Sequence, residues 1–575
     1  MVTLTIDTQK VQVPAGTTIL EAARKIGVNI PTLCANTEIN HTPGACRVCV
    51  VEVERSRTLV ASCVYPVAEG MKVKTNSTRV RKARETVMEF LLSDHPQDCT
   101  VCQKNQNCEL QAMADQISVR EVRVPRTDFS HHRIDESSPS LVRDMSKCIN
   151  CLRCVTACSE IQAVYALTPE ARGFGSKVVP EMGHSLLSSV CVSCGQCAVV
   201  CPTGAIVEKD EIDKVWAALE DPTKHVVVQE APAIRAALGE EFGMPPGTLV
   251  TGKMVAALRR LGFDKVFDTN FSADLTIIEE GNELLHRVKT GGVLPMMTSC
   301  SPGWINFIET FYPQLLPNLS TCKSPQQMFG ALAKTYYAQF AGIDPKDIFV
   351  VSIMPCTAKK FEAARPEMNS SGYRDVDVVL TTRELGRMIR RTGIDFTALP
   401  DEEVDAPMGQ YTGAGTIFGA TGGVMEAALR TVYAVVAGQN LPNLDIAPVR
   451  GLEGVKEATV QVPGLGEVRV AVAHGLMNAR NLMDRIVAGT ANYHFIEIMC
   501  CPGGCIGGGG QPLPVSNEKR RLRSLALYCD DKEVQRFRQS HENPAVQDLY
   551  KNFLKEPLGK MSHKLLHTHY HERVL

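Results

Sequence analysis

The sequence lacks the features that would direct it to a membrane, to nucleic acid or out of the cell. It has no apolar run of about eighteen residues that could span a bilayer. Its 61 basic and 63 acidic residues leave a formal net charge of −2, and there is no basic arm. The first ten residues have neither the charged start and apolar core of a secretory signal nor a twin arginine. We therefore expect a cytoplasmic protein with no nucleic-acid or membrane partner.

Cysteine is the residue present in excess. The chain has 575 residues, enough for three or more domains, and its composition of 44% hydrophobic and 22% charged residues is ordinary for a globular protein. Its 22 cysteines are bunched at short spacings. In a reducing cytoplasm such bunching favours metal ligation over disulfide bonds.

Residues 1–80 predict a small domain of the β-grasp type. Val2 to Ile6 and Val11 to Val13 alternate like a hairpin, and Thr18-Ile-Leu-Glu21 predicts a capping box that begins a helix ending near Gly27. Four cysteines follow, and by number they suit a [2Fe–2S] cluster or a structural zinc ion: Cys34, Cys46, Cys49 and Cys63. This stretch resembles the N-terminal [2Fe–2S] domain shared by iron-only hydrogenases and the large iron–sulfur subunit of respiratory complex I.

Residues 81–137 predict a helix followed by a second metal site. Arg79 to Leu92 has helical periodicity, and three cysteines without a fourth partner come next: Cys99, Cys102 and Cys108. His95 stands close before them, and an imidazole completes a four-ligand site. We interpret these four residues as ligands of a [4Fe–4S] cluster, a pattern that also occurs in the two families just named.

Residues 138–212 contain an internal repeat with the spacing of a bacterial ferredoxin. The two runs are Cys148, Cys151, Cys154 and Cys158, then Cys191, Cys194, Cys197 and Cys201. In this spacing the fourth cysteine of each run ligates the other cluster. The pattern therefore predicts two [4Fe–4S] clusters, one held by the first three cysteines with Cys201 and the other by the second three with Cys158. Ser159 replaces the usual proline of the first run without removing a ligand.

Residues 213–575 alternate strand-like and helix-like segments, which predicts an α/β domain with a largely parallel sheet. The expected strands are 225–229, 265–268, 293–298, 347–354, 377–380 and 468–473, and the expected helices are 272–288, 303–315, 324–340 and 382–391. Because ligands gather at the carboxyl ends of parallel strands, we expect the cysteines found there to meet. They are Cys300, Cys356, Cys501 and Cys505. The whole chain is thus predicted to be an α+β multidomain protein.

Three segments around these cysteines resemble the signatures of the [FeFe], or iron-only, hydrogenases. They are Thr298-Ser-Cys-Ser-Pro-Gly-Trp304, Met354-Pro-Cys-Thr-Ala-Lys-Lys-Phe-Glu362, and Glu497 to Pro512 with its run of four glycines. The resemblance implies an H-cluster, which is a [4Fe–4S] cubane joined to a diiron unit with CO, CN⁻ and a dithiolate bridge. By position, Cys356, Cys501 and Cys505 would ligate the cubane, with Cys505 as the bridge. The implied reaction is 2H⁺ + 2e⁻ ⇌ H₂.

The first signature departs from the family at one position. Many members have two adjacent cysteines before Pro-Gly-Trp, the second a cubane ligand and the first a proton donor, whereas this chain has Cys300-Ser301. A hydroxyl ionises some seven pH units above a thiol, which costs roughly 9–10 kcal/mol. We therefore expect Cys300 to ligate and Ser301 to relay protons. The alternative is a serine-ligated or defective cluster.

The same resemblance implies further site residues. The proton path would comprise Glu280, Glu283 and Ser320. Lys359 would hydrogen-bond a cyanide, and the diiron ligands would be held by Met354, Met499, Gln326 and Pro232, with Ala233 where some members have a serine. Cys322, Cys500 and Cys529 are left over, and we expect buried or inert thiols. His567-Thr-His-Tyr-His571 is expected to form a solvated tail.

The sequence therefore predicts a hydrogenase that exchanges electrons with ferredoxin or another low-potential carrier through one [2Fe–2S] and three accessory [4Fe–4S] clusters. It would depend on maturation machinery for the diiron unit. One alternative is the catalytic subunit of an NAD(P)-linked, bifurcating complex, whose nucleotide chemistry would come from partner subunits because this chain has no flavin or nicotinamide fingerprint. Others are a hydrogen sensor and a non-catalytic iron–sulfur protein of the assembly or complex I type, which lacks the full set of three signatures.

Overall fold

The computed structural model describes residues 1–125 and 134–574, so part of the predicted 81–137 segment lies outside the described residues. Two units are present. The first consists of Met1–Glu160, Tyr165–Ser189 and Val200–Val207, and the second consists of Ile161–Val164, Val190–Val199 and the chain from Glu208 onwards. Among the described residues, no helix is both long and apolar enough to cross a membrane.

The first unit begins with a five-stranded sheet. Its strands are Val2–Ile6, Gln9–Val13, Val50–Val53, Val60–Ala61 and Lys72–Lys74. Their order in the sheet is second, first, fifth, third, fourth. The predicted hairpin is confirmed, with Val2 opposite Val13. The capping box is confirmed as well, because the Thr18 hydroxyl accepts from the Glu21 N–H at the start of the helix Ile19–Lys25.

The rest of the first unit is made of helices and short strands. The helix predicted at Arg79 to Leu92 forms as Thr78–Ser93, and the helix Glu109–Ile117 follows it. A three-stranded sheet then joins Ile134–Asp135, Leu141–Asp144 and Ile206–Glu208, and Leu167–Glu170 pairs with Lys177–Pro180. Short helical segments occupy Arg153–Thr156 and Ala157–Ile161, and a third, Gln196–Val200, lies almost entirely in the second unit.

The second unit contains a fully parallel four-stranded sheet, as the alternating pattern predicts. In spatial order its strands are Lys265–Asp268, His225–Glu230, Ile348–Met354 and Val378–Thr381. These strands are apolar and mostly buried, as expected for a sheet covered on both faces. Helices that cover it include Thr251–Arg260, Pro325–Leu332 and Thr382–Arg391.

A second four-stranded sheet in the same unit is mixed. Its order is Met296–Met297, Phe495–Met499, Gly466–His474 and Val455–Val462, with the last strand antiparallel. The strand predicted at 293–298 is thus reduced to two residues. Pro295 explains the shortening, because proline has no N–H to donate to a neighbouring strand.

Further helices pack around these sheets. They are Ile212–Glu220, Thr269–Thr290, Pro302–Phe311, Ala338–Ala341, Ala358–Ala363, Gly413–Ile417, Gly423–Ala437, Leu476–Val487, Asn517–Cys529, Pro544–Leu549 and Lys560–Leu566. The helix predicted at 272–288 is longer than expected because Asp268 caps it by accepting from the Asn270 N–H, and Gly291 ends it with a positive φ.

Candidate metal centres and proton path

A cavity in the second unit lies where three strands end. It comprises about 730 Å³ of space free of protein atoms, part of which is open to solvent. Cys300 follows the strand Met296–Met297, Cys356 follows Ile348–Met354, and Cys501 with Cys505 follows Phe495–Met499. The structure brings these four thiols together as lining residues of this one cavity.

Three of the thiols form a group of electrostatic neighbours. Burial raises the pKa of Cys356 well above its ordinary value, and the thiols of Cys501 and Cys505 raise it further. Burial, followed by Cys501, raises the pKa of Cys505 to about 12. Such thiols become thiolates only when a cation compensates the buried charge. Cys356, Cys501 and Cys505 are therefore suited to binding a metal cluster.

Cys300 and Ser301 line the cavity from the start of the helix Pro302–Phe311. The pKa of the Cys300 thiol is raised well above its ordinary value, first by burial and then by the carboxylate of Glu280, while the ammonium of Lys359 acts in the opposite direction. The Ser301 hydroxyl oxygen accepts a hydrogen bond of 3.1 Å from the Cys500 N–H. These two adjacent residues therefore face different neighbours.

The glycine run is closely packed against backbone. A Cβ on Gly508 would lie 2.2 Å from the Pro355 carbonyl oxygen, and one on Gly509 would lie 2.4 Å from the Cys194 carbonyl oxygen. Gly504 has a φ of +88° and lines the cavity with Gly508. Side chains are therefore excluded where the loop passes between Cys505 and Cys356.

A buried charge pair lies at the cavity wall. The Lys359 ammonium donates to the Glu362 carboxylate at 2.9 Å and to the Cys300 carbonyl oxygen at 3.1 Å. The Glu362 carboxylate also accepts from Ser324 and from the Gln326 amide. These bonds hold a cation at the cavity, positioned to donate to an anionic ligand.

The residues present suit a polar inorganic group in this cavity. The Gln326 amide oxygen is buried without a hydrogen-bond partner, and Gln326 is a lining residue. Met354, Met499 and Pro232 also line the cavity. Ala233 lies behind the wall, packed with Cys505 and accepting from the Gln511 amide through its carbonyl oxygen.

The first unit brings together the four cysteines of the N-terminal domain. The Cys34 thiol is hydrogen-bonded to those of Cys46 and Cys63, and the sulfurs of Cys49 and Cys63 are 3.4 Å apart. All four cysteines are buried. The group has the four convergent sulfurs that a cluster or a tetrahedral ion requires.

The next group lies between the helices Thr78–Ser93 and Glu109–Ile117. His95 is buried, and its Nδ1 atom has no hydrogen-bond partner. Burial and the neighbouring Cys102 raise the pKa of Cys108. An unpartnered imidazole nitrogen fits a metal ligand, because such an atom is costly to bury otherwise. Cys99 begins the short helical turn before Cys102.

In the repeat, four cysteines from the two runs line one cavity of about 360 Å³ in the first unit. They are Cys148, Cys151, Cys154 and Cys201. Of the other four, Cys158 belongs to the first unit and Cys191, Cys194 and Cys197 belong to the second. The Cys191 sulfur accepts from the Ser193 N–H at 3.4 Å, as Cys148 does from Asn150.

Comparison with known proteins assigns the family. Residues 224–509 match the C-terminal domain of the iron-only hydrogenase large subunit, and residues 517–573 match the iron hydrogenase small subunit. The chain is 53% identical to the NADP-reducing hydrogenase subunit HndD of Solidesulfovibrio fructosivorans, with 100% of this chain and 99% of that protein covered. The chain belongs to the iron-only hydrogenase family.

Other matches agree with this assignment. The hydrogenase is 42% identical to iron hydrogenase 1 of Clostridium pasteurianum, over 99% of this chain and 100% of that protein. A solved variant of an [FeFe]-hydrogenase from Chlamydomonas reinhardtii has 45% identity and a TM-score of 0.57, covering 63% of this chain and 99% of that one. N-terminal segments match a 2Fe-2S cluster binding domain at 1–78, the NADH-ubiquinone oxidoreductase-G iron-sulfur binding region at 84–123 and a 4Fe-4S dicluster domain at 147–205. The hydrogenase is thus a mixed α/β multidomain oxidoreductase with iron–sulfur cofactors.

The predicted proton-path residues of the hydrogenase form a continuous chain. Glu280 is hydrogen-bonded to Ser320, whose hydroxyl donates to the Glu283 carboxylate at 3.2 Å. Glu283 is paired with Arg287 at 2.6 Å. Burial raises the pKa of Glu280 to about 8, with Glu283 raising it and the Ser320 hydrogen bond lowering it. A carboxyl group with this pKa is protonated at neutral pH and is suited to pass a proton.

The expectation of a solvated C-terminal tail is wrong for His567 and Thr568, which are buried, while His569 and His571 are exposed as expected. His567 is buried, with Nδ1 2.7 Å from the Thr321 hydroxyl oxygen and Nε2 3.3 Å from the Glu279 carboxylate. The Tyr570 hydroxyl donates to the Cys322 carbonyl oxygen. The backbone N–H of Arg573 donates to the carbonyl oxygen of Glu309. His567 is buried because these polar partners replace water.

The sequence reasoning missed one residue that lines the cavity of this hydrogenase, Cys500, and one that bonds the lining residues from behind, Glu362. Glu362 accepts hydrogen bonds from Lys359 and Gln326. Its position in the second signature could have indicated a role at the site. Cys500 was set aside as inert, yet it lines the cavity. The position of Cys500 directly before Cys501 could have indicated that it lies at the site. Of the other leftover thiols, Cys322 is buried as expected and Cys529 is exposed.

Proposed function

We propose that this chain catalyses 2H⁺ + 2e⁻ ⇌ H₂ at an H-cluster held in the 730 Å³ cavity. The observation that carries the proposal is the meeting of Cys300, Cys356, Cys501 and Cys505 beside a proton path. When bound, the H-cluster supplies the metal at which protons and electrons combine. The chain's own residues hold that group, exclude water and deliver protons.

Cys356, Cys501 and Cys505 would hold the cubane in this proposal, because their thiols line the cavity together. Lys359 would donate to an anionic ligand of the diiron unit, because Glu362 fixes its ammonium at the wall. Met354, Met499, Gln326 and Pro232 surround the diiron unit. Ala233 supports the wall behind Cys505.

Cys300 would hold the proton that is exchanged at the diiron unit, because its thiol lines the cavity and neighbours Glu280. This assignment departs from the expectation that Cys300 ligates the cubane and Ser301 relays protons. It is supported by the proximity of Cys300 to Glu280 and by the hydrogen bond that occupies the Ser301 hydroxyl. A proton then passes between Cys300 and solvent through Glu280, Ser320 and Glu283.

Electrons reach the cavity through four accessory clusters. A β-grasp domain at 1–80 would hold a [2Fe–2S] cluster, a His/Cys₃ segment at 81–137 one [4Fe–4S] cluster, and a ferredoxin-like domain at 138–212 two more, before the H-cluster domain at 213–575. The ligand sets are those predicted from spacing, and the cavity shared by Cys201 and the first three cysteines of the repeat supports the interlocked arrangement.

Infrared spectroscopy of the matured protein tests the proposal. Bound CO and CN⁻ give stretching bands in a region free of protein absorption, so we expect those bands together with H₂ evolution from reduced viologen. Their absence after maturation would refute the H-cluster assignment.

A second candidate is the hydrogen-converting subunit of a cytoplasmic NAD(P)-linked complex. The similarity to an NADP-reducing hydrogenase subunit over the whole chain favours it over a partner that is ferredoxin alone. In that case the isolated chain should reduce viologen with H₂ but should reduce NADP⁺ only when flavin-containing partner subunits are added. NADP⁺ reduction by the pure chain would contradict this candidate.

A further inference from the structure

The proposed H-cluster leaves one cubane position without a ligand. A cubane takes four protein ligands, and Cys356, Cys501 and Cys505 account for three. Four further thiols and hydroxyls line the same cavity, namely those of Thr269, Cys300, Ser301 and Cys500. The Thr269 hydroxyl donates to the Gln229 amide oxygen at 2.9 Å, which leaves Cys300, Ser301 and Cys500 as candidates for the fourth position. The contacts of these three side chains decide among them.

Cys300 lies on the proton-path side of the cavity. Its strongest electrostatic neighbours are Glu280 and Lys359, and it packs beside the apolar cluster that contains Ala273 and Phe418. Its carbonyl oxygen accepts from the Lys359 ammonium. This position suits a thiol that exchanges protons.

Cys500 lies on the side of the cubane ligands. Its thiol is hydrogen-bonded to that of Cys501 and to that of Cys194. A Cβ on Gly303 would lie 2.6 Å from the Cys500 sulfur, so only glycine leaves room for the sulfur there. The strand ends at Met499 and the chain bends at Cys500 and Cys501, so their side chains do not alternate across a sheet and both line the cavity.

Ser301 is engaged in holding Cys500. Its hydroxyl oxygen accepts from the Cys500 N–H at 3.1 Å, which ties the first signature to the third next to the cubane ligands. As a ligand this hydroxyl would have to ionise some seven pH units above a thiol, roughly 9–10 kcal/mol, with a thiol available beside it.

We propose that Cys500 supplies the fourth thiolate of the cubane and that Ser301 is a positioning residue that fixes the backbone of Cys500. This inference rests on the proposed function. On ligation the Cys500 S–H bond breaks, an S–Fe bond forms and the proton leaves to solvent, with no change in oxidation state. The missing second cysteine of the first signature is thereby replaced by a cysteine one position before Cys501.

The test uses the full-length chain with iron and sulfide but without the diiron unit, so that its readout does not depend on turnover. Iron content and the Mössbauer and electron paramagnetic resonance spectra are measured for Cys500→Ala, Ser301→Ala, the double variant Ser301→Cys/Cys500→Ala, and Cys529→Ala as a matched thiol control. Cys529 is exposed and contacts Glu533.

We expect Cys500→Ala to lose about four irons per chain. Ser301→Ala should keep the wild-type iron content but change the electron paramagnetic resonance spectrum of the cubane, because the Cys500 N–H loses its acceptor. Cys529→Ala should change neither quantity, and the double variant should regain the cubane because a thiol again follows Cys300. A Cys500→Ala chain with full iron and an unchanged cubane spectrum would overturn the assignment, as would loss of the cubane in Ser301→Ala alone. If Cys500 acted only through the neighbouring cluster of Cys194, Ser301→Cys would restore nothing, which also overturns it.

The wild-type chain separates this inference from the function on which it rests. A wild-type protein with no cubane besides its accessory clusters would overturn the proposed function and the ligand assignment together. A wild-type protein that has the cubane and gains CO and CN⁻ bands on maturation, next to an unaffected Cys500→Ala variant, would overturn the ligand assignment alone.

Discussion

Glu280 is a single buried carboxyl group on which proton delivery depends. Its pKa is raised to about 8 from an ordinary value of 4.5, so the group is protonated below about pH 8 and loses its proton above it. We expect Glu280→Gln to lower H₂ evolution by about 10²–10⁴-fold, because an amide does not transfer a proton. The wild-type rate should also fall as the pH rises through about 8.

The control for Glu280 is Glu518→Gln, at an exposed residue that forms an ion pair with Arg521. Both variants should keep the CO and CN⁻ bands, since neither residue contacts the cubane ligands. A Glu280→Gln enzyme with wild-type turnover would show that protons take another route.

Substitution of Cys300 distinguishes a role in binding the cubane from a role in proton transfer. Because its thiol is next to Glu280, we expect Cys300→Ala to keep the wild-type iron content while H₂ evolution falls by about 10²-fold or more. Iron analysis and a viologen-coupled assay on one preparation check both quantities. Loss of about four irons would instead return Cys300 to the ligand role expected from the sequence.

At the scale of elements, the glycine run after Cys505 lets its backbone pack closely against the backbone of neighbouring segments. A Cβ at position 508 would lie 2.2 Å from the Pro355 oxygen, a backbone atom that cannot rotate away. We expect Gly508→Ala to destabilise the protein by about 1–3 kcal/mol and to reduce cubane retention. Gly175→Ala is the matched control, because a Cβ there meets nothing within 4 Å. Equal denaturation midpoints and iron contents would contradict the prediction.

In the C-terminal segment the buried residue His567 makes polar contacts rather than apolar ones. His567→Ala removes contacts to Thr321 and Glu279 inside the second unit and leaves the Glu279 carboxylate short of a partner. We expect a loss of about 1–3 kcal/mol, seen as a lower unfolding midpoint. His569→Ala should have little effect because His569 is exposed. A tail that contributes nothing to packing would give equal midpoints for the two variants.

At the scale of the whole molecule, the proposed metal sites lie in separate hydrophobic cores. Cys49 and Cys63 lie in the core of the N-terminal sheet, whereas the main cavity is bordered by clusters of the second unit. We therefore expect Cys49→Ser to lose about two irons per chain and one spin signal while viologen-driven H₂ evolution continues. Cys529→Ser is the control. Loss of the CO and CN⁻ bands in Cys49→Ser would mean that the sites do not form independently.

Much of the architecture follows from local sequence. The capping box at Thr18, the hairpin Val2–Ile6 with Gln9–Val13, the strand Lys265–Asp268 and the helix Thr382–Arg391 form where side-chain periodicity and capping residues predict them. The strand predicted at 293–298 is shorter than expected because Pro295 lacks an N–H. The burial of His567 was not predicted because it depends on Glu279 and Thr321, which are distant in sequence.

The sequence by itself determined the family, the ferredoxin repeat and the cysteines available for metal, because ligand spacing and local periodicity are properties of neighbouring residues. Only the tertiary structure decided which side of the cavity Cys300 and Cys500 face. Those positions depend on Glu280, Lys359, Cys194 and Gly303, and long-range packing of side chains from separate segments cannot be read from spacing.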